Sequence, residues 1–483
     1  MNPLYTRRQV AFGLGAFALT GCRTSESNNL ATSNLAQLGV DYRLRRNVWD
    51  LDPNGPELND YRKAIKAMQA LPIKDPRSWD GQASIHLNSC PHNNWFFVTW
   101  HRAYLFYFEK LIQQYSGNPK FALPYWDWSM KPEIPPAFLD KRPGNPLFIE
   151  GRAAVGQLPS NKVSTPVIEK ILKLKDFVAF AGARSSEQRA PAGSGGLEST
   201  PHNAVHNWVG GEMGTFKSPL DPIFWLHHAN IDRLWAEWAS KNPTASLPAN
   251  PAAKGGDDPK LTRDFWLNFT LAGFADVKGL SVTAKAADLL ETTSYKYMYD
   301  TLATAARGPI QGMARTSNSI PPTELRESAS QMTMSSGQTK SKEYVSIKIP
   351  ISAEIAEAHR KIVVSSDDVI GAHVRLYVSN LPIPDDFSQV VRVFLNHPEP
   401  TISTSEDDSH FVGTYSFFGA AHKEHGGEKR IALFSLNEAF RGQSTKALAM
   451  GGYLNFQLQL LGAKELKTYF DGVELKIQVV QVD

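Results

Sequence analysis

The chain has 483 residues, 42% hydrophobic and 20% charged, with a formal net charge of +3. Its length suits about two or three domains and its composition is that of an ordinary soluble globular protein. The near-balanced charge gives no case for a nucleic-acid partner, and two cysteines, Cys22 and Cys90, leave room for one disulfide at most.

Residues 1–21 read as an export signal. Arg7-Arg8 is a twin arginine, the apolar stretch Val10–Leu19 is too short for a membrane span, and Leu19-Thr20-Gly21-Cys22 has the form of a lipoprotein cleavage box. The other reading is an uncleaved anchor. The box predicts a mature chain starting at lipidated Cys22, exported by the twin-arginine route and tethered to a bacterial membrane facing the periplasm or cell exterior. Cys90 would then lack a disulfide partner. The polar stretch 22–40 reads as a flexible tether.

A helix-rich region is expected over 41–304. Tyr61 to Ala70 and the aromatic-rich Trp95 to Tyr115 read as helices, and residues 130–200 as long loops with a helix near 166–180. Thr200-Pro201 and Asp221-Pro222 are helix-start signals, Gly210-Gly211 stops the first helix, and the second runs to about Ser240. Residues 305–342, rich in Ser, Thr, Met and Gln, read as a linker. Beyond it, Val345/Ile347/Ile349/Ile351, Leu454/Phe456/Leu458/Leu460 and Val473/Leu475/Ile477/Val479 alternate with period two, predicting an all-β sandwich over 343–483.

The chemistry lies in two histidine clusters of the helical region. Neutral imidazole suits copper and zinc, so His86, His92 and His101 on one side, and His202, His206 and one of His227 or His228 on the other, suggest two metal ions. His92 and His101 are nine apart, about 900° of helical rotation, so they converge only if His92 lies in the loop before the helix that carries His101. His202 and His206, at i and i+4, share one helical face. The HExxH motif of zinc proteases is absent, because Asn203 occupies its glutamate position. His227 and His228 lie about 100° apart, so one of them points at the metal, and geometry leaves open which. Asp232, one turn after His228, is placed to orient or support that face from behind.

The segments His92-Asn-Asn-Trp-Phe-Phe-Val-Thr-Trp-His101-Arg102 and Leu123-Pro-Tyr-Trp-Asp-Trp128 resemble the copper A region of tyrosinases and catechol oxidases. Glu198-Ser-Thr-Pro-His202-Asn203-Ala-Val-His206 and Asp221-Pro-Ile-Phe-Trp-Leu-His-His228-Ala-Asn-Ile-Asp232 resemble their copper B region. The resemblance covers about 45–300 and continues through Asp264-Phe-Trp-Leu-Asn and Tyr295-Lys-Tyr-Met-Tyr into a C-terminal β domain like that of plant polyphenol oxidases.

The resemblance implies a four-helix core holding two copper ions, three histidines each. It selects His228 over His227, and His86, the only histidine before His92, takes the first copper A position at a shorter interval than in plant enzymes. It implies dioxygen as co-substrate and small phenols as substrates, with o-diphenols, and monophenols in tyrosinases, taken to o-quinones. Cys90 and His92 match a Cys-x-His pair joined by a thioether. Glu198 and Asn203 match a pair holding a water near copper B that can take the phenol proton. Phe216 matches an aromatic gate over the copper A side. The β domain resembles one that shields the site in latent enzymes, which predicts activation by cleavage within 305–342, by detergent or by low pH. The rivals are a haemocyanin-like dioxygen carrier and an o-aminophenol oxidase. Against the carrier stand the single copper unit, the lipoprotein signal and the Glu198–Asn203 pair.

Overall fold

The computed structural model describes residues 42–252, 257–305, 327–335, 337–341, 343–364, 371–384, 389–418, 430–443, 452–462 and 469–482. The export signal, Cys22, the tether and much of the expected linker lie outside the described residues.

The first half is helical. β1 (Arg43–Arg45) leads into α1 (Pro56–Gln69), which starts with proline in its first turn and buries Leu58, Tyr61, Ile65 and Met68 on one face. α2 (Trp79–Ser89) is capped by Ser78, whose hydroxyl accepts from the Gly81 N–H. α3 (Phe97–Ser116) is buried nearly all round and ends on Gly117 at φ 78°. Two short helices, Thr165–Leu172 and Phe177–Ala181, occupy the stretch expected to hold one. α4 (Asn203–Val209) stops at Gly210, φ 64°, where a Cβ would lie 2.6 Å from Ala153 Cβ. α5 (Ile223–Lys241) packs on α3, which also packs on α1.

A buried polar girdle ties these helices to the start of the chain. Glu109 on α3 bridges Arg43 and Arg45, each at 3.0 Å. β2 (Tyr297–Tyr299) pairs in parallel with β1 and closes the helical region.

Two sheets follow. One has the order β8-β7-β10-β5-β4, the other β9-β6-β11-β3. The strands are β3 (Glu327–Met334), β4 (Gly337–Lys340), β5 (Val345–Pro350), β6 (Gly371–Leu381), β7 (Val390–Leu395), β8 (Phe411–Ser416), β9 (Arg430–Ser435), β10 (Tyr453–Leu461) and β11 (Glu474–Val482). Register is set by the alternation: Phe456 faces Ile347, and Ile477 faces Leu376. Val345, Ile347, Leu376, Val393, Phe456 and Ile477 belong to one apolar core shared by both sheets.

Three expectations need correction. β3 and β4 lie inside the stretch read as a linker. Both are edge strands, and their sequences, rich in Ser, Thr and Gln, carry no sustained apolar alternation to reveal them. The C-terminal region is not purely β, because α6 (Ala353–Val364) buries Ile355, Ala358, His359 and Ile362 at helical spacing. The turn before α4 begins at Glu198, not at Thr200-Pro201. Residues Glu198–His202 form a wide π turn with Pro201 inside it.

Candidate metal centre

Six imidazoles converge from four helices, one loop and one turn. His86 comes from α2, His92 from the loop before α3, His101 from α3, His202 and His206 from the π turn and α4, and His228 from α5. His92 can turn back because Asn93 takes a left-handed conformation, φ 58°, which asparagine tolerates. Asn94 then accepts from the Phe96 N–H ahead of the helix.

The hydrogen bonds fix the ring tautomers. His86 Nδ1–H donates to the Phe216 carbonyl at 2.7 Å, His101 to Phe97 at 2.8 Å and His206 to Met213 at 2.6 Å. His202 Nδ1–H donates to Asn203 Oδ1 at 2.8 Å. Each acceptor lacks a proton to give, so in the neutral ring Nε2 carries a lone pair. Burial first, then the neighbouring imidazoles, holds His92, His101, His202 and His228 well below their usual range; burial lowers His86, with Arg189 adding to it, and His206, with His86 adding to it, to about 3. They are therefore neutral.

These lone pairs face one another. His86 Nε2 lies 3.4 Å from His101 Nε2, two acceptors in contact. His206 Nε2 lies 3.2 Å from His228 Nε2, whose ring has no hydrogen bond at Nδ1 to set its tautomer. The Nε2 atoms of His92 and His202 are buried without a protein partner. Buried polar atoms are normally paired, so the arrangement calls for a cation in each cluster. Two all-imidazole sets fit a dicopper site.

A seventh histidine, His227, lies beside His202 and His206 with a ligand-capable nitrogen. However, the Trp128 indole N–H donates to its Nδ1 at 3.1 Å. That puts the ring proton of the neutral imidazole on Nε2, a buried N–H without a protein acceptor, which makes this nitrogen a donor and not a lone-pair ligand. The same logic applies to a third cluster, His397, Asp408 and His410 in the β region. His397 Nδ1 accepts from the Glu399 N–H at 3.1 Å, so that cluster forms a hydrogen-bonded network around the loop.

The remaining expected residues fall as follows. Cys90 Sγ is 3.4 Å from His92 Nδ1, and both are buried. Burial pushes the Cys90 thiol far up, so it is protonated. Glu198 is buried and both its oxygens accept from the Asn93 N–H, at 2.9 and 3.0 Å. Burial raises its carboxyl to about 8 despite that bond. Asn203 spans two partners: Oδ1 serves His202, and Nδ2 donates to the Ser416 carbonyl at 2.7 Å. The Phe216 ring lies 5.3 Å from the His92 ring and 6.3 Å from His86.

Asp232 departs from expectation, because its hydrogen bonds run away from the imidazoles. It accepts from Arg102 Nε at 2.5 Å, Tyr297 at 2.7 Å and Tyr299 at 2.6 Å, and pairs with Arg45 at 3.4 Å. One turn along α5, it meets the residue following His101, so it locks α3 against α5 and does not orient His228.

The sequence reading missed Phe418. This residue follows β8, yet it packs in the helical core. Its ring lies 4.3 Å from His206, 4.9 Å from His92, 5.4 Å from His202 and 5.4 Å from Phe216. No local signal marks it, since contact across about two hundred residues is set by docking. Asp176 and Arg375 clamp the two regions together through bonds of 2.6 and 3.0 Å.

Comparison with known proteins agrees with this geometry. The model of the common central domain of tyrosinase matches residues 76–167 and 141–241. A chloroplastic polyphenol oxidase of Malus domestica is 32% identical over 284 residues, covering 50% of this chain and 45% of that protein. A tyrosinase of Hahella sp. is 30% identical over 310 residues, covering 53% of this chain and 63% of its own length. The chain thus matches less than two thirds of either relative. A solved latent aurone synthase (polyphenol oxidase) shares the fold over 92% of this chain and 89% of its own, with a TM-score of 0.62 at 23% identity. A latent apple tyrosinase does so over 92% and 97%, with a TM-score of 0.60 at 20% identity. Residues 76–241 thus match the common central domain of tyrosinase, and the chain shares with the latent polyphenol oxidases a fold in which a helical histidine-bearing core is followed by a β-sheet region.

Proposed function

We propose that the protein is a copper-dependent phenol oxidase that converts o-diphenols, and monophenols after hydroxylation, to o-quinones with dioxygen. The observation that carries this is the lone-pair contact of His86 with His101, together with the buried, unpartnered Nε2 atoms of His92 and His202. His86, His92 and His101 would hold one copper, and His202, His206 and His228 the other. When bound, the pair supplies electron exchange with dioxygen.

The chain's own groups do the rest. The phenol ring takes the space that Phe418 fills, against His206, His92 and Phe216. Glu198, with Asn203, holds a water that takes the phenolic proton. Buried and neutral without metal, the carboxyl gains its charge when copper cations are near. Cys90 Sγ and a ring carbon of His92 lose one hydrogen each as a C–S bond forms, with dioxygen accepting the two hydrogens. The link fixes the His92 ring.

The enzyme is latent, with Phe418 as its plug. The twin arginine and Cys22 make it an exported, lipid-anchored protein. The test is copper loading followed by oxygen uptake with tyrosine, L-DOPA, catechol and o-aminophenol, with and without protease or detergent. Steady quinone formation after activation is expected. Stoichiometric oxygen binding without turnover would instead identify a carrier, and turnover of o-aminophenol alone an o-aminophenol oxidase.

A further inference from the structure

The way Phe418 is held carries more than occlusion. β8 is an edge strand, paired only with β7. Its other edge meets the turn and helix that carry the copper B histidines. Thr200 Oγ1 donates to the Thr414 carbonyl at 2.9 Å, Asn203 Nδ2 to the Ser416 carbonyl at 2.7 Å, and Asn207 Nδ2 to the Phe417 carbonyl. The donors stand three and four residues apart, the spacing of one helical face. The carbonyls of residues 414 and 416 are two apart, the spacing of one strand edge. A row of side-chain amide and hydroxyl donors therefore reads a strand's main chain.

The hydrogen bonds of such a row are indifferent to sequence, because they go to main-chain carbonyls. Specificity comes from the pocket at its end, where one aromatic ring inserts among His92, His202, His206 and Phe216. Main-chain hydrogen bonds for affinity and a pocket for one side chain are the elements of strand-type peptide recognition. Tyrosine differs from phenylalanine by the phenolic hydroxyl alone. The 414–418 segment is thus a substrate-shaped strand lacking the reacting group.

We propose that, once the β region is displaced, the Thr200–Asn203–Asn207 row binds an extended polypeptide and presents a tyrosyl side chain of it to the metal pair. The substrate class is then a peptide- or protein-bound phenol. This rests on the phenol-oxidase reading above and deepens it. The reaction balances as one phenol plus one dioxygen giving one o-quinone plus one water. The ring gains one oxygen and loses two hydrogens, and dioxygen is fully reduced.

The proposal is tested on the copper-loaded full chain, opened with sub-micellar detergent. The probe is a capped hexapeptide with the sequence of residues 413–418, tyrosine in its last position and phenylalanine replacing Tyr415. The reference is N-acetyltyrosine amide. Two or three net hydrogen bonds predict a kcat/KM for the peptide at least about ten-fold above the reference. That ratio should fall several-fold in the T200V/N207A double variant, and because it is a ratio, a general loss of activity cancels. A ratio near one, or one the double variant leaves unmoved, overturns the proposal. If the opened chain oxidises no catechol either, the phenol-oxidase reading itself has failed. A second measurement needs no opening. In F418Y the chain carries its own phenol on the row, and copper with air should convert that residue to the quinone, seen by peptide mass mapping. An unmodified residue 418 in a chain that oxidises catechol when opened also overturns it.

Discussion

The Phe418 ring lies 4.3 Å from the His206 ring, so a residue of the β region closes the metal centre of the helical region. That side chain, and the contacts that dock its strand, cover the His92, His202 and His206 rings. Truncating it should separate occlusion from docking. F418A removes a ring that is buried among imidazoles, leaving a cavity and costing about 3–5 kcal/mol of interface energy. The full-length variant should oxidise 4-tert-butylcatechol without detergent or protease, at least about ten-fold faster than the unactivated parent. Equal rates in parent and variant would show that another barrier closes the site.

Docking also rests on the buried pair Asp176–Arg375. Burial alone would raise the Asp176 carboxyl, but Arg375 and His373 override it and hold it at about 2. A depressed carboxyl contributes stability above its unfolded value, about 3.9, and loses it as pH falls toward the folded value. Acid opening through this pair therefore begins only below about pH 4. D176N leaves Arg375 buried without its main partner, a loss on the order of 3 kcal/mol, softened by Asp257 at 3.6 Å. The variant should be partly active at pH 7 and show a flatter acid-activation profile. An unchanged acid midpoint would move the trigger elsewhere.

Much of this was legible in the residues, and the failures have physical causes. His92 had to leave the α3 helix because nine residues do not return to one face, and Asn93 at φ 58° is the turn that achieves it. α2, which carries His86, went unseen because it buries Trp79, Gln82, Ala83 and His86, a set with no apolar stripe. β3 and β4 went unseen because their Ser-, Thr- and Gln-rich sequences carry no sustained apolar alternation. Phe418 was illegible because its environment is made by the distant His92, His202 and His206. Asp232 was assigned to the right face of α5, but Arg102 claims it before any imidazole can.

Glu198 should leave a signature in the copper-free protein. Its carboxyl is raised to about 8 by burial. A raised group contributes stability that is full below its unfolded value, about 4.3, and is lost as pH rises through the folded value. The melting temperature of the copper-free chain should thus fall between about pH 4.5 and 8, and E198Q should remove that slope. With copper, E198Q should cut monophenol turnover by about 10²-fold or more and diphenol turnover far less. Equal losses on both substrates would argue against proton transfer at this residue.

The Cys90–His92 contact of 3.4 Å predicts a covalent product. Copper loading in air should lower the intact mass by two hydrogens and remove one thiol, that of Cys90, from the titre of the denatured chain, whose other cysteine is Cys22. C90S should keep both coppers but bind the one at His92 more weakly, by about 10–100-fold. A mass unchanged after full copper loading and turnover would rule out the cross-link.

Choosing between adjacent His227 and His228 is a matter of protons. The Trp128 N–H can only donate, so the His227 Nδ1 it meets at 3.1 Å must accept, and the remaining ring proton sits on Nε2. His228 makes no such bond, and its Nε2 stands 3.2 Å from that of His206. H228A should therefore retain one copper per chain after dialysis, while H227A retains two with the second held about 10–100-fold more weakly. W128F separates the tautomer from the ring. Freed of its donor, His227 can move its proton to Nδ1 and expose a lone pair toward the copper B set. H228A/W128F should then regain part of the copper that H228A loses. If H227A instead loses a full copper and H228A loses none, the proton assignment is reversed and His227 is the ligand.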